Sequence, residues 1–109
     1  MTSTADQTPA ASALQAKIQG DLNTARKAQD KNAVLLLGTI LADIKNRRIE
    51  AKRELTDAEV SEVLRKGIKK RRESIEMYDK AARADLADRE RAEVTALEGY
   101  LPANVSDEE

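Results

Sequence analysis

Six of the eight residues from Arg65 to Arg72 are basic: Arg65, Lys66, Lys69, Lys70, Arg71 and Arg72. Cations at that density attract phosphates, because each one that meets a phosphate releases a condensed counterion. The 109 residues carry a net charge of −1, so the cluster is a local concentration and not a general bias. From Lys45 to Arg72 there are 11 basic and 5 acidic residues, whereas the remainder carries 8 basic and 15 acidic. A chain polarised in this way offers its positive region to an acidic partner, with RNA the leading candidate. Tyr78 and Tyr100 are the only aromatic residues, each at a core-compatible position. Recognition by base stacking is therefore not expected, and RNA would be held through its backbone and shape.

Other chemistries find little material. The absence of Cys removes disulfides, thiolate nucleophiles and zinc–thiolate sites. The absence of His removes the usual general base and the commonest metal ligand. Carboxylate pairs such as Glu50/Glu54 and Asp85/Asp88 come with no EF-hand spacing and no glycine-rich phosphate loop. No catalytic residue, metal or cofactor is expected. The segment Met1 to Ala11 has neither a basic n-region nor an apolar h-region, and the longest apolar run is Ala33–Leu37. The expectation is a soluble cytoplasmic protein with no membrane partner.

The elements that must position the cations read as helices. With 36% charged residues, four Gly, two Pro and neither Phe nor Trp, the composition favours helix and an aliphatic core. Thr8-Pro9 looks like a helix start, and Leu14, Ile18, Leu22 and Ala25 recur at helical spacing, predicting a first helix from about Pro9 to Gln29. Asp30 is placed to cap a second, whose stripe Val34, Leu37, Leu41, Ile44 is widened by Leu36 and Ile40. A face so broad predicts the most buried helix. Thr56-Asp57-Ala58-Glu59 is a capping box opening a third helix, from about Asp57 to Lys80. Asp85 is the expected cap of a fourth, with Leu86, Val94, Leu97 and Leu101 inward and Pro102 as its stop. Ser106-Asp107-Glu108-Glu109 forms a second capping box at the chain's end.

At 100° per residue, Arg65, Lys66, Lys69, Lys70 and Arg72 share one side of the third helix. Such a side can simply be solvated, with same-helix pairs Glu62–Lys66, Lys69–Glu73 and Arg72–Glu76 each contributing a few tenths of a kcal/mol. Arg71 falls instead among Leu64, Ile68 and Ile75. A guanidinium there needs a carboxylate or a place at the core's edge, which is a structural role. Arg48 sits similarly on the second helix.

Several stretches, in order, resemble one family: Ile44-Lys45-Asn46-Arg47-Arg48-Ile49-Glu50, Leu55-Thr56-Asp57-Ala58-Glu59-Val60, Ile68-Lys69-Lys70-Arg71-Arg72-Glu73-Ser74-Ile75-Glu76, Asp85-Leu86-Ala87 and Leu97-Glu98-Gly99-Tyr100-Leu101-Pro102. Together they resemble the YqeY-like proteins, the GatB/YqeY domain family, over about Leu14 to Glu109. The family is related to the tail of the GatB subunit of the tRNA-dependent amidotransferase, which amidates Glu-tRNA(Gln) or Asp-tRNA(Asn) with glutamine as donor. The resemblance implies a noncatalytic, tRNA-associated module, with a carbon–nitrogen ligase label inherited from the enzyme. It also implies a second small helical domain after the Tyr-Leu-Pro turn, so that the chain looks to lack that part. Gly38-Thr39 departs from relatives, which often have a basic or bulky residue there.

The resulting expectation is an all-α protein of four main helices, the first two an antiparallel hairpin packed against a long third and a shorter fourth. Residues 1–8 are expected to be disordered, 9–102 to form the helical domain, and 103–109 to be an acidic tail or the opening of a further domain. The expected RNA-binding residues are Lys45, Arg47, Arg48, Lys52, Arg53, Arg65, Lys66, Lys69, Lys70 and Arg72, contacting phosphates without reading sequence. The alternative is a helical interaction module docking on an acidic protein, on an amidotransferase-related partner, or on a second copy of itself.

Overall fold

The structure, a computed structural model, describes residues 12–102, so Thr8-Pro9 and the Ser106–Glu109 box lie outside the described residues. Four helices follow one another: α1 (Ala13–Ala28), α2 (Lys31–Ala51), α3 (Asp57–Lys80) and α4 (Ala84–Glu98), with no strand among the described residues. The fold is all-α. Two compact units divide it, one up to Val63 and one from Leu64 onward, with the boundary falling inside α3.

In the first unit α1 and α2 form an antiparallel hairpin across a connection of two residues, Gln29 and Asp30. Helix α1 starts at Ala13, where Ser12 takes the cap and its Oγ accepts from the Gln15 N–H at 2.8 Å. A second orphan donor, the Leu14 N–H, reaches Asp57 Oδ1 at 3.2 Å, tying the start of α1 to the start of α3. Gln29 closes α1 in the left-handed conformation, and Asp30 then caps α2 through the Ala33 N–H at 3.1 Å. Lys52, also left-handed, ends α2. Ile18, Ile40 and Ile44 are almost fully buried, with Leu22, Leu37, Leu55 and Val60 close behind. Each such side chain contributes roughly 1.5–3 kcal/mol, against about 1 kcal/mol for a cap, so packing dominates and capping sets the boundaries. The broad apolar face of α2 is not buried whole: Leu35 is 70% and Ile49 59% exposed, while Val34 and Leu41 are half-covered. The helix is one-sided, not enclosed.

The start of α3 is the most heavily fastened point of this unit. Thr56 Oγ1 accepts from the Glu59 N–H at 3.1 Å, and Glu59 Oε1 accepts from the Thr56 N–H at 2.9 Å. Arg53 adds a two-pronged hydrogen bond to the same carboxylate, at 2.8 and 2.6 Å. Those donors favour the ionised form, with the Arg53 hydrogen bond the larger cause, and push the Glu59 pKa down to about 2.

In the second unit, Leu64, Ile68, Ala87, Val94 and Leu97 are buried. Arg71 is only 14% exposed at its side chain; its Nε donates to Glu93 Oε1 at 2.8 Å and its NH1 to the Gly67 carbonyl at 3.1 Å. Arg72 with Glu98, and Arg91 with Asp79, complete three links between α3 and α4. Asp85 is not the cap of α4. Arg83 occupies that position without capping a backbone N–H of the helix, and Asp85 stands in the first turn, its carboxylate accepting from the Arg83 guanidinium at 3.2–3.3 Å. An acidic residue suits either place, since both face the positive end of the helix dipole. The Arg83 hydrogen bonds, followed by one from the Leu86 N–H, hold the Asp85 carboxyl below its ordinary range. Helix α4 stops at Glu98, ahead of Pro102.

Two outcomes are expected. A glutamate in an unfolded chain titrates near pH 4.3, so a native pKa of about 2 gives Glu59 a stabilising effect present above pH ~4.3 and lost as pH falls through 2. Thermal melts should show a smaller drop between those pH values for Glu59→Gln than for the native chain; equal drops would contradict the assignment. For the half-buried pair, Glu93→Ala should cost about 1–3 kcal/mol in urea unfolding by leaving Arg71 without its partner. Arg71→Met combined with Glu93→Leu should regain most of that loss.

Candidate nucleic-acid interface

The ten cations expected to meet RNA divide between the two units, and each set is described by itself. In the first unit, Lys45 is exposed and Arg47 half-buried on α2, and among the described residues neither makes a hydrogen bond or ion pair. Lys52 occupies the left-handed cap, where its backbone N–H serves the Arg48 and Ile49 carbonyls and its side chain has no partner among the described residues. Arg48 lies 3.8 Å from Glu54, beyond hydrogen-bond reach. Arg53 is committed to Glu59 and to the Glu54 carbonyl.

In the second unit, Arg65, Lys66, Lys69 and Lys70 are exposed on α3, and none of them has a hydrogen-bonding or ionic partner among the described residues. None of the three same-helix pairs that would neutralise this side forms. Arg72 turns instead to Glu98, 26 positions away, which local spacing cannot reveal. Glu73 and Glu76 share the flank and are exposed, so they temper its field without capturing any cation. A groove of about 510 Å3 beside it is lined by Ile68 and Leu101, and by Arg65, Lys69 and Arg72 together with Glu73, Glu76 and Glu98. Such a balance does not select an anion. The free cations of α3 can act as point charges along a backbone, and this groove does not act as a pocket.

One cation with the right surroundings carried no signal in the sequence. Arg26 ends the α1 stripe that contains Gln15, Gln19 and Leu22, and it lines a cleft of the first unit with Lys45 and Arg48. Its i+4 spacing from Leu22 was visible; what lay opposite was not. No group of three or more Asp or Glu side chains among the described residues is arranged to hold a metal ion. No helix among them is long and apolar enough to cross a membrane.

Comparison with known proteins places the chain. The family described as Yqey-like protein matches residues 15–109. An uncharacterised protein of Schizosaccharomyces pombe is 37% identical over 93 residues, covering 85% of this chain and 76% of that protein. Altered inheritance of mitochondria protein 41, mitochondrial, is 34% identical in Pyrenophora tritici-repentis, over 77% of this chain and 46% of the relative. The protein of the same name in Clavispora lusitaniae is 35% identical, over 94% of this chain and 61% of its own. The chain thus spans about three quarters of the first relative and roughly half of the mitochondrial ones. These names overturn the cytoplasmic expectation, since the relatives named so are mitochondrial proteins. That expectation had rested on the lack of secretory and membrane signals, which test other destinations and say nothing of a mitochondrial one. With the match spanning 15–109 and four helices in place, the chain belongs to the Yqey-like protein family.

Proposed function

We propose that this chain is a noncatalytic helical module that associates with tRNA through its phosphates, as a relation to the tRNA-dependent amidotransferase would imply, and that it works in mitochondria. The observation that carries the reading is the set Arg65, Lys66, Lys69 and Lys70: four cations within six residues, with no carboxylate of the described residues holding any of them. Lys45, Arg47 and Lys52 in the first unit support it in the same way. Arg48, Arg53 and Arg72 are weaker members, because each already faces a carboxylate. An ammonium free of internal partners gives up no ion pair when it meets a phosphate, so the counterion released is a net gain. Lysines on flexible stems suit backbone contact, and with two tyrosines, both only partly exposed, the chain is poorly equipped to stack on bases. The amidotransferase chemistry itself would belong to a partner, since no described residue is arranged for it.

The test is fluorescence anisotropy with unfractionated tRNA across a salt series. Binding should weaken steeply with salt. Lys69→Glu with Lys70→Glu should lower the affinity at least tenfold and reduce the log–log salt slope by about one for each phosphate no longer neutralised. Unchanged affinity at low salt would defeat the proposal. Light scattering on the same samples separates it from self-association, which would give a dimer without RNA.

A further inference from the structure

The first unit holds a site of a different kind. Between α1 and α2 lies a cleft of about 360 Å3, within the range of small-molecule sites. Leu22 and Leu41 contribute apolar surface to it. Three cations line it, Arg26, Lys45 and Arg48, and no carboxylate does. That is a pronounced imbalance in a chain whose acidic residues number 20 against 19 basic ones. Arg26 and Lys45 have no hydrogen bond or ion pair among the described residues, and Glu54 stands 3.8 Å from Arg48 without a hydrogen bond. Two unpaired cations and one held loosely by Glu54, on a concave surface with no lining carboxylate, leave a positive potential there that an anion relieves.

Two further observations describe the rest of the ligand. Gly38 sits in the middle of α2, where glycine is a poor choice. A Cβ at that position would meet nothing within 4 Å, so neighbouring atoms do not demand glycine. What the missing side chain provides is open floor in the cleft. Gln15, on the facing helix, has its side-chain oxygen buried and without a hydrogen-bond partner. An acceptor left in that state is costly, and a ligand hydroxyl would satisfy it once the Gln15 side chain turned toward the cleft.

We propose that the α1–α2 cleft binds a small phosphate monoester carrying a hydroxyl group, of the size and kind of a nucleoside 5′-monophosphate. Arg26, Lys45 and Arg48 would take the phosphate, Leu22 and Leu41 the apolar body, and Gln15 the hydroxyl. A monoester approaches two negative charges at neutral pH, whereas a phosphodiester inside an RNA strand carries one, so the cleft favours a free or terminal phosphate over a chain phosphate. The inference goes beyond the RNA reading and stands without it.

The experiment is a proton–nitrogen NMR titration of the whole chain with AMP, with adenosine, and with sodium chloride at matched ionic strength. AMP should give saturable shifts at Gln15, Gly38 and Lys45, with a Kd tighter than about 1 mM, and adenosine or salt should not. Gly38→Leu fills the floor with a better helix former and should weaken AMP at least tenfold while the circular dichroism stays helical. Arg26→Gln should weaken it without touching the floor, and the Lys69→Glu, Lys70→Glu double variant should leave it unchanged. Absence of saturable shifts, or affinity indifferent to both Gly38→Leu and Arg26→Gln, would overturn the proposal. A tRNA with a 5′-phosphate that shifts these residues where AMP does not would also overturn it, leaving the RNA reading intact. AMP binding without tRNA binding would support the cleft and defeat the RNA reading.

Discussion

A guanidinium sunk between a carbonyl and a carboxylate governs the second unit. Arg71 is covered by its surroundings, and burying that charge is tolerable only because Glu93 and the Gly67 oxygen receive its donors. The pair and the buried Leu64 and Ile68 beside it together set which face of α3 turns inward. With Arg71 and Ile68 turned inward, helical spacing obliges Arg65, Lys66, Lys69 and Lys70 to face water. The exposed flank follows from the inward one.

Within that frame arginine and lysine have different work. Apart from Lys17 with Asp21, the ion pairs of the described residues belong to arginines: Arg48, Arg53, Arg71, Arg72, Arg83 and Arg91. A planar fork matches a carboxylate at two points, as Arg53 does with Glu59, and wins the available anions. Lysines are left over, concentrated on α3 and at the end of α2. The most tightly held pairs thus fasten helix ends and link helices, and the unheld charges are those able to meet something else. The cleft beside Gly38 carries the same idea into a concave place, where Arg26 lacks the carboxylate that most of the other arginines have found.

Local chemistry was legible in the sequence and distant pairing was not. The Thr56–Glu59 box needs only four consecutive residues, and α3 runs from Asp57 to Lys80 as its pattern requires. Asp30 capped α2 for the same reason. The cap of α1 at Ser12 is reinforced by a contact that spacing does not reveal, the Leu14 N–H reaching Asp57, 43 positions away. Spacing alone does not separate a cap from a first-turn position for Asp85, because both favour the same residue type. The solvated-side alternative for α3 depended on partners one turn away, yet Arg72 finds Glu98 on another helix. Arg26 and the floor at Gly38 could not be recognised, because a cleft exists only once two helices face each other.

The claim at the centre is that the α3 lysines are free until a polyanion arrives. Lysine acetylation followed by mass spectrometry, with and without saturating tRNA, measures that at each residue. Lys66, Lys69 and Lys70 should react readily alone and become protected in the complex, while Lys80 keeps its rate. Equal reactivity of these lysines with and without bound tRNA would contradict the account.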